Sequence, residues 1–228
     1  MSEMTESGVT CPRCRATWTA GLFTSVDADT IQVQVEAILE GRFERMACPC
    51  GHAFRPEHRM LFVSHERRLW IVMHPLAERP GFATLERDVA QVIAAGIARA
   101  APATVEELHG IRPRLVFGQH MLSEAVRVAY AGLDAAMLEC AKLLTVRRNL
   151  AALIKHGPFE LCFERLDGKV PTCGVISLPA GERVGEMAIA VDVWEEVQDH
   201  RTDLEASFPE IFAGPYMSAT RYLLAATV

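Results

Sequence analysis

The residues best equipped for chemistry are four cysteines in two tight pairs, "CPRC" at 11–14 and "CPCGH" at 48–52. Thiolates grouped in this way can close a tetrahedron around one metal ion, above all Zn2+, when two turns bring them face to face. Cys11-Pro12-Arg13-Cys14 has the two-residue gap that lets one turn aim both sulfurs at a single ion. Cys48-Pro49-Cys50 has a gap of one, tighter but still able to chelate. Four protein ligands leave no open position for a catalytic water, so the chemistry expected is structural. The competing readings are burial as small apolar side chains and a thioredoxin-like redox dithiol. The redox motif needs a pair that opens a helix, whereas "CPRCRATWT" runs into a strand pattern.

Elements must then place these turns. "VTCPRCRATWTAGLFTSVD" reads as two strands joined by the first cysteine turn, behind a short polar leader. The 33 residues between the pairs are long for a bare ribbon, so something folded is inserted. Ile31, Val35, Ile38 and Leu39 share a helix face, with Asp29 or Thr30 as cap and Gly41 as stop. "RMLFVSHERRLWIVMHP" predicts a hairpin with a polar tip from Ser64 to Arg68. Thr84 can cap a helix that Pro102 closes, and "TVEE" at 104–107 has capping-box spacing before Gly110. A strand at "RPRLVFG" precedes helices over 119–130 and 134–156, broken at Gly132 and ended by Gly157 and Pro158. "FELCFERLDGKVPTCGVISL" is strand-rich and "VDVWEEVQDHRTDLEA" helical.

"VTCPRC" followed by "ACPCGHAFRPEHRMLFVSHERRLWIVMHP" resembles the CpXC family of bacterial and archaeal proteins, named for two Cys-Pro-x-Cys motifs. The likeness continues through "RPRLVFGQHMLSEAVRVAYAGLDAAMLECAKLL", so it spans roughly residues 8–150 and leaves the acidic tail outside. The resemblance implies that Cys11, Cys14, Cys48 and Cys50 hold one structural zinc per chain. One departure stands out: "CPCG" is one residue short of Cys-Pro-x-Cys-Gly. Cys50 is kept as the ligand, with His52 in reserve.

Bulk composition sets the limits. Half of the 228 residues are apolar, and no apolar run reaches the roughly 18 residues a membrane span needs. The start "MSEMTESGVT" lacks the basic and apolar regions of a secretory signal, so a cytoplasmic location is the expectation. Residues 1–155 carry 18 basic and 17 acidic side chains, residues 156–228 carry 5 and 12, so the tail supplies the net charge of −6. A chain devoted to nucleic acid would show a basic surplus. Locally, six arginines face three glutamates between 42 and 68, and Arg67 and Arg68 could meet phosphate there. "KLLTVRRNLAALIK" holds Lys142, Arg147, Arg148 and Lys155 without an acid. Such a basic helix fits a partner or the protein's own acidic tail. Cys140 lies on a core face. A two-residue turn at Asp167-Gly168 would set Cys162 opposite Cys173 on the polar side, although Pro171 argues against a plain hairpin; both remain unassigned thiols.

These readings converge on an α+β chain. Residues 8–156 form a zinc-ribbon-like β module with an inserted helix and a helical extension, and 157–228 an acidic α+β part. No nucleophile elbow, Walker loop, dinucleotide fingerprint or HExxH motif is present. The expected function is therefore a non-catalytic, zinc-stabilised interaction or regulatory protein with a protein partner and no membrane association. The alternatives are a nucleic-acid-binding ribbon acting in transcription regulation and a thiol-redox protein.

Overall fold

The computed structural model describes residues 2–99, 111–178 and 181–224, in two compact units, Met1–Ser123 and Glu124–Val228. The first is built on a five-stranded sheet of order β1-β2-β5-β6-β7. Strands β1 (Glu3–Thr10) and β2 (Thr17–Asp27) form an antiparallel hairpin around the first cysteine turn. The expected polar leader is thus a strand. Residues Glu3 to Glu6 are all exposed, and pairing with β2 rather than burial makes this stretch extended. Helix α1 (Gln32–Leu39) follows, burying Val35, Ala37 and Ile38. It starts without a side-chain cap. Asp29 instead reaches the tip of the next hairpin, accepting from Ser64 Oγ at 2.6 Å and from the N–H groups of His65 and Glu66.

A two-stranded ribbon, β3 (Met46–Ala47) and β4 (Ala53–Phe54), carries the second cysteine turn. Strands β5 (Met60–Ser64) and β6 (Leu69–His74) form the predicted hairpin, with Ser64 opposite Leu69. Strict alternation turns Met60, Phe62, Ile71 and Met73 into the core, while Leu61, Val63, Trp70 and Val72 are half-buried on the other face. Helix α2 (Phe82–Arg99) borders that second face, leaving a cleft of about 440 Å³ that includes Trp70, Val72, Val89 and Val92. It begins before the predicted Thr84, running on from a 3-10 turn over Leu76–Gly81. Its predicted end at Pro102 and the "TVEE" segment up to Gly110 lie outside the described residues. Strand β7 (Arg112–Phe117) pairs parallel to β6 and completes the sheet.

The division between the units falls inside α3 (Gly118–Tyr130). Helix α4 (Ala135–Leu153) is capped by Asp134, which accepts from the N–H groups of Ala136 and Met137. It packs with an antiparallel sheet of order β10-β9-β8, formed by β8 (Phe159–Asp167), β9 (Val170–Ser177) and β10 (Glu182–Ala188), and with α5 (Val191–Asp199). The compositional border at Gly157 is therefore internal to this unit, because helices and strands on both sides of it share one core. Three short helices, α6 (Arg201–Ser207), α7 (Pro209–Ala213) and α8 (Thr220–Leu224), end the described chain.

The β8–β9 hairpin corrects the expected register. Asp167 pairs with Val170, so the turn is Gly168-Lys169, and an irregularity between Phe163 and Arg165 sets Phe163 opposite Cys173 and Cys162 opposite Gly174. Both thiols are buried, not on a polar side. Pro171 is tolerated because it lies at the strand's start, where its carbonyl accepts from Ile189 N–H. Cys140 is fully buried, in keeping with its core role.

Candidate metal centre

The two cysteine turns are built alike. In the first, Cys11 N–H donates to Ala16 O and Arg15 N–H to Cys11 O; in the second, Cys48 N–H donates to His52 O and Gly51 N–H to Cys48 O. Each turn needs a left-handed residue just after its second cysteine, Arg15 at φ 63° and Gly51 at φ 82°. Glycine adopts that conformation freely and arginine does so only at a steric cost. The one-residue deletion in "CPCG" is absorbed within this tighter turn.

The turns face one another. Cys11 Sγ stands 3.9 Å from Cys50 Sγ and Cys14 Sγ 3.5 Å from Cys48 Sγ, and all four sulfurs lie within 4.8 Å of one another. Four sulfurs about 2.3 Å from a tetrahedral ion stand roughly 3.8 Å apart, so the donor set and its spacing fit such an ion. Cys11 and Cys48 are buried, Cys14 and Cys50 exposed. His52 is outside the cluster: its ring lies parallel to Phe54 at 6.0 Å between centroids.

Electrostatics give the same picture. Burial works to raise the Cys11 thiol, but the N–H groups of Cys14 and Arg13 and the neighbouring thiols outweigh it, bringing Cys11 down to about 7. Cys48 moves the other way: the Cys50 N–H favours its thiolate, yet burial and hydrogen bonds shared with the other thiols push it up to about 12. Negative charges gathered this closely repel one another. A cation between them removes the conflict, and loading it releases protons.

The remaining predicted residues separate. Strand β2 is 11 residues long and runs parallel to β5, which puts the β5–β6 tip with Arg67 and Arg68 at the end of β2 away from the cysteines, roughly 33 Å along the strand. Within the basic stretch Arg42 pairs with Glu40, and Arg59 with Glu78 at 3.0 Å. The basic helix is not a free face either. Lys142 is buried and donates to Glu124 at 2.9 Å and Glu139 at 2.5 Å, so it cannot belong to a partner surface. Arg148 holds Asp192 at 2.6 Å and Glu196 at 2.8 Å, and Arg147 lies over the Phe208 ring. The expected docking of this helix on the acidic tail thus occurs within the second unit. Lys155 is exposed.

One polar site had no signal in the sequence. Glu44, in the left-handed conformation at φ 50°, accepts from Phe23 N–H at 2.7 Å and Gln119 Nε2 at 3.2 Å, and its Oε2 lies 3.0 Å from His58 Nε2. Burial raises its carboxyl from 4.5 to about 7, against the pull of those donors. A folded value above the unfolded one means a contribution that is complete below about pH 4.5 and lost as pH rises through 7. Glu44→Gln should therefore stabilise the first unit by about 2 kcal/mol at pH 8 and change little at pH 5. The partnerless Gln119 Oε1 can accept from the new amide after a flip. Thermal melts at both pH values check this.

Among the described residues no helix is long and apolar enough to cross a membrane. A family model described as CpXC protein matches residues 9–142, more than half of the chain and inclusive of all four clustered cysteines. No curated protein and no solved structure matches the chain.

Proposed function

The chain belongs to the CpXC family, and from that premise we propose that it is a non-catalytic interaction or regulatory protein whose first unit is clamped by one structural zinc ion. The observation that carries the reading is the closed set of four thiols, none more than 4.8 Å from another. Zinc fits an all-sulfur tetrahedral set and supplies no redox chemistry of its own. Cys11, Cys14, Cys48 and Cys50 would hold it, tying the β1–β2 turn to the β3–β4 turn. The short ribbon has two residues per strand and gains its rigidity from that tie.

The surface on offer to a partner is then the ribbon end of the first unit. A partner protein on the 134–156 helix is a weaker fit, since Lys142 and Arg148 are already engaged internally.

The test is the closure of the coordination sphere. With Co2+ in place of the native ion, the visible spectrum should be that of a tetrahedral sulfur site and should stay unchanged when azide or imidazole is added. A spectrum that shifts with added ligand would reveal an open position and overturn the non-catalytic reading.

A further inference from the structure

The cysteine-turn end of the first unit has a charge and ring pattern that metal binding does not require. No acidic residue occurs from Ser7 to Val26 or from Arg45 to Pro56, the two segments that meet at the thiol cluster. Arg13 and Arg15 stand in the first turn and Arg45 directly precedes β3; all three are exposed and make no ion pair among the described residues. Glu44, the acid next to Arg45, turns its carboxylate inward to Phe23, Gln119 and His58. Four thiolates around Zn2+ leave two negative charges, which three arginines exceed. The end therefore stays cationic with the metal bound, although the whole chain carries −6.

Beside these cations lies a row of three half-buried rings. Trp18 meets Phe54 edge to face at 5.9 Å, and His52 stacks on Phe54 at 6.0 Å with an interplanar angle of 8°. Phe54 pairs with Met46 in the ribbon, and the Cys48 N–H bond to His52 O carries the pairing on to His52, two residues from Phe54 and so on the same side.

We propose that this end binds single-stranded nucleic acid, with Arg13, Arg15 and Arg45 on the phosphates and the His52–Phe54–Trp18 row under the bases. The proposal deepens the interaction reading and rests on the metal holding the two turns together. Cations with interleaved rings match an unpaired strand, whose bases expose π faces at each step. A duplex keeps those faces stacked inside, and an acidic peptide would need the arginines but not the rings.

The experiment is fluorescence anisotropy of a labelled oligothymidylate, about 12 nucleotides long, with the full-length protein as purified. Three phosphate contacts predict a slope of log K against log salt of about −2. Arg13→Glu with Arg15→Glu and Arg45→Glu should weaken binding at least tenfold and flatten that slope. His52→Ala should weaken it by about fivefold or more with the slope unchanged. Arg67→Glu with Arg68→Glu, at the far end of β2, should stay within twofold. No binding at low salt, equal loss in the Arg67/Arg68 control, preference for duplex, or equal binding of a polyglutamate peptide would each overturn the proposal. Metal content is measured on every sample. Metal-loaded protein that ignores the oligonucleotide sinks the surface alone, whereas metal-free protein that binds it sinks the zinc reading and the supposed dependence on it.

Discussion

Lys142→Met should destabilise the second unit by about 3–5 kcal/mol, the cost of leaving buried carboxylates without their cation. Lys142 Nζ bridges Glu124 and Glu139, and both acids are buried. Each acid is also tied to backbone, Glu124 accepting from Phe163 N–H at 2.6 Å and Glu139 from Ala219 N–H at 2.7 Å. Neither can swing out to water without breaking a strand edge or the chain near α8. Burial raises the Glu139 carboxyl, the Lys142 charge opposes that rise, and the Glu124 charge adds to it. Without the ammonium the Glu139 carboxyl is held still further above its ordinary value, so the variant should lose further stability as pH rises and regain some as it falls. Adding Glu139→Gln should recover part of the loss by removing one buried charge. Denaturant melts of the three proteins at pH 5 and pH 8 check this, and a loss below 1 kcal/mol would mean the bridge is not a net support.

Cys11→Ser should have the largest effect on the first unit. Structural zinc supplies apparent binding free energies of about 10–16 kcal/mol in small metal-folded peptides at neutral pH, and that energy is folding energy. Cys11 is fully buried and the Cys11 sulfur is matched to Cys50 across the cluster. A serine hydroxyl there is a far poorer ligand than a thiolate, so the ion should be lost and the turn-to-turn tie with it. The two-residue strands β3 and β4 should then melt, because the Trp18–Phe54 ring contact that remains between β2 and β4 is far weaker than a metal tie. Cys140→Ala is the matched control: Cys140 is as buried, but lies in the second unit's core, and its removal should cost a cavity without touching metal content. Metal analysis and thermal melts with and without chelator distinguish the two variants.

Much of the fold was readable in local chemistry. The β5–β6 hairpin, α1 between the cysteine pairs, and the break at Gly132 before Asp134 all follow from periodicity and punctuation. The four-cysteine cluster was readable too, because two tight pairs between strand-like runs have few other uses. What escaped depends on long-range partners. Strand β1 is polar and exposed, so only β2 reveals it. The α4 positions from Ala136 to Leu143 are buried on all sides, and no amphipathic pattern marks Lys142 as an interior ion. The β8 irregularity near Glu164 moves Cys162 and Cys173 away from any simple hairpin count. The basic stretch 42–68 looked like one patch, yet β2 and β5 carry its two ends apart. The thiols bring the turn that carries Arg13 and Arg15 to the turn that follows Arg45 and β3, a juxtaposition no local pattern announces.

The most direct measurement is zinc-edge X-ray absorption on protein purified without added metal, with elemental analysis of the same sample. The account predicts one zinc per chain surrounded by four sulfurs at about 2.3 Å. Three sulfurs with one nitrogen would move a ligand position to a histidine such as His52 and contradict the four-thiol clamp. A folded chain without metal would contradict it outright.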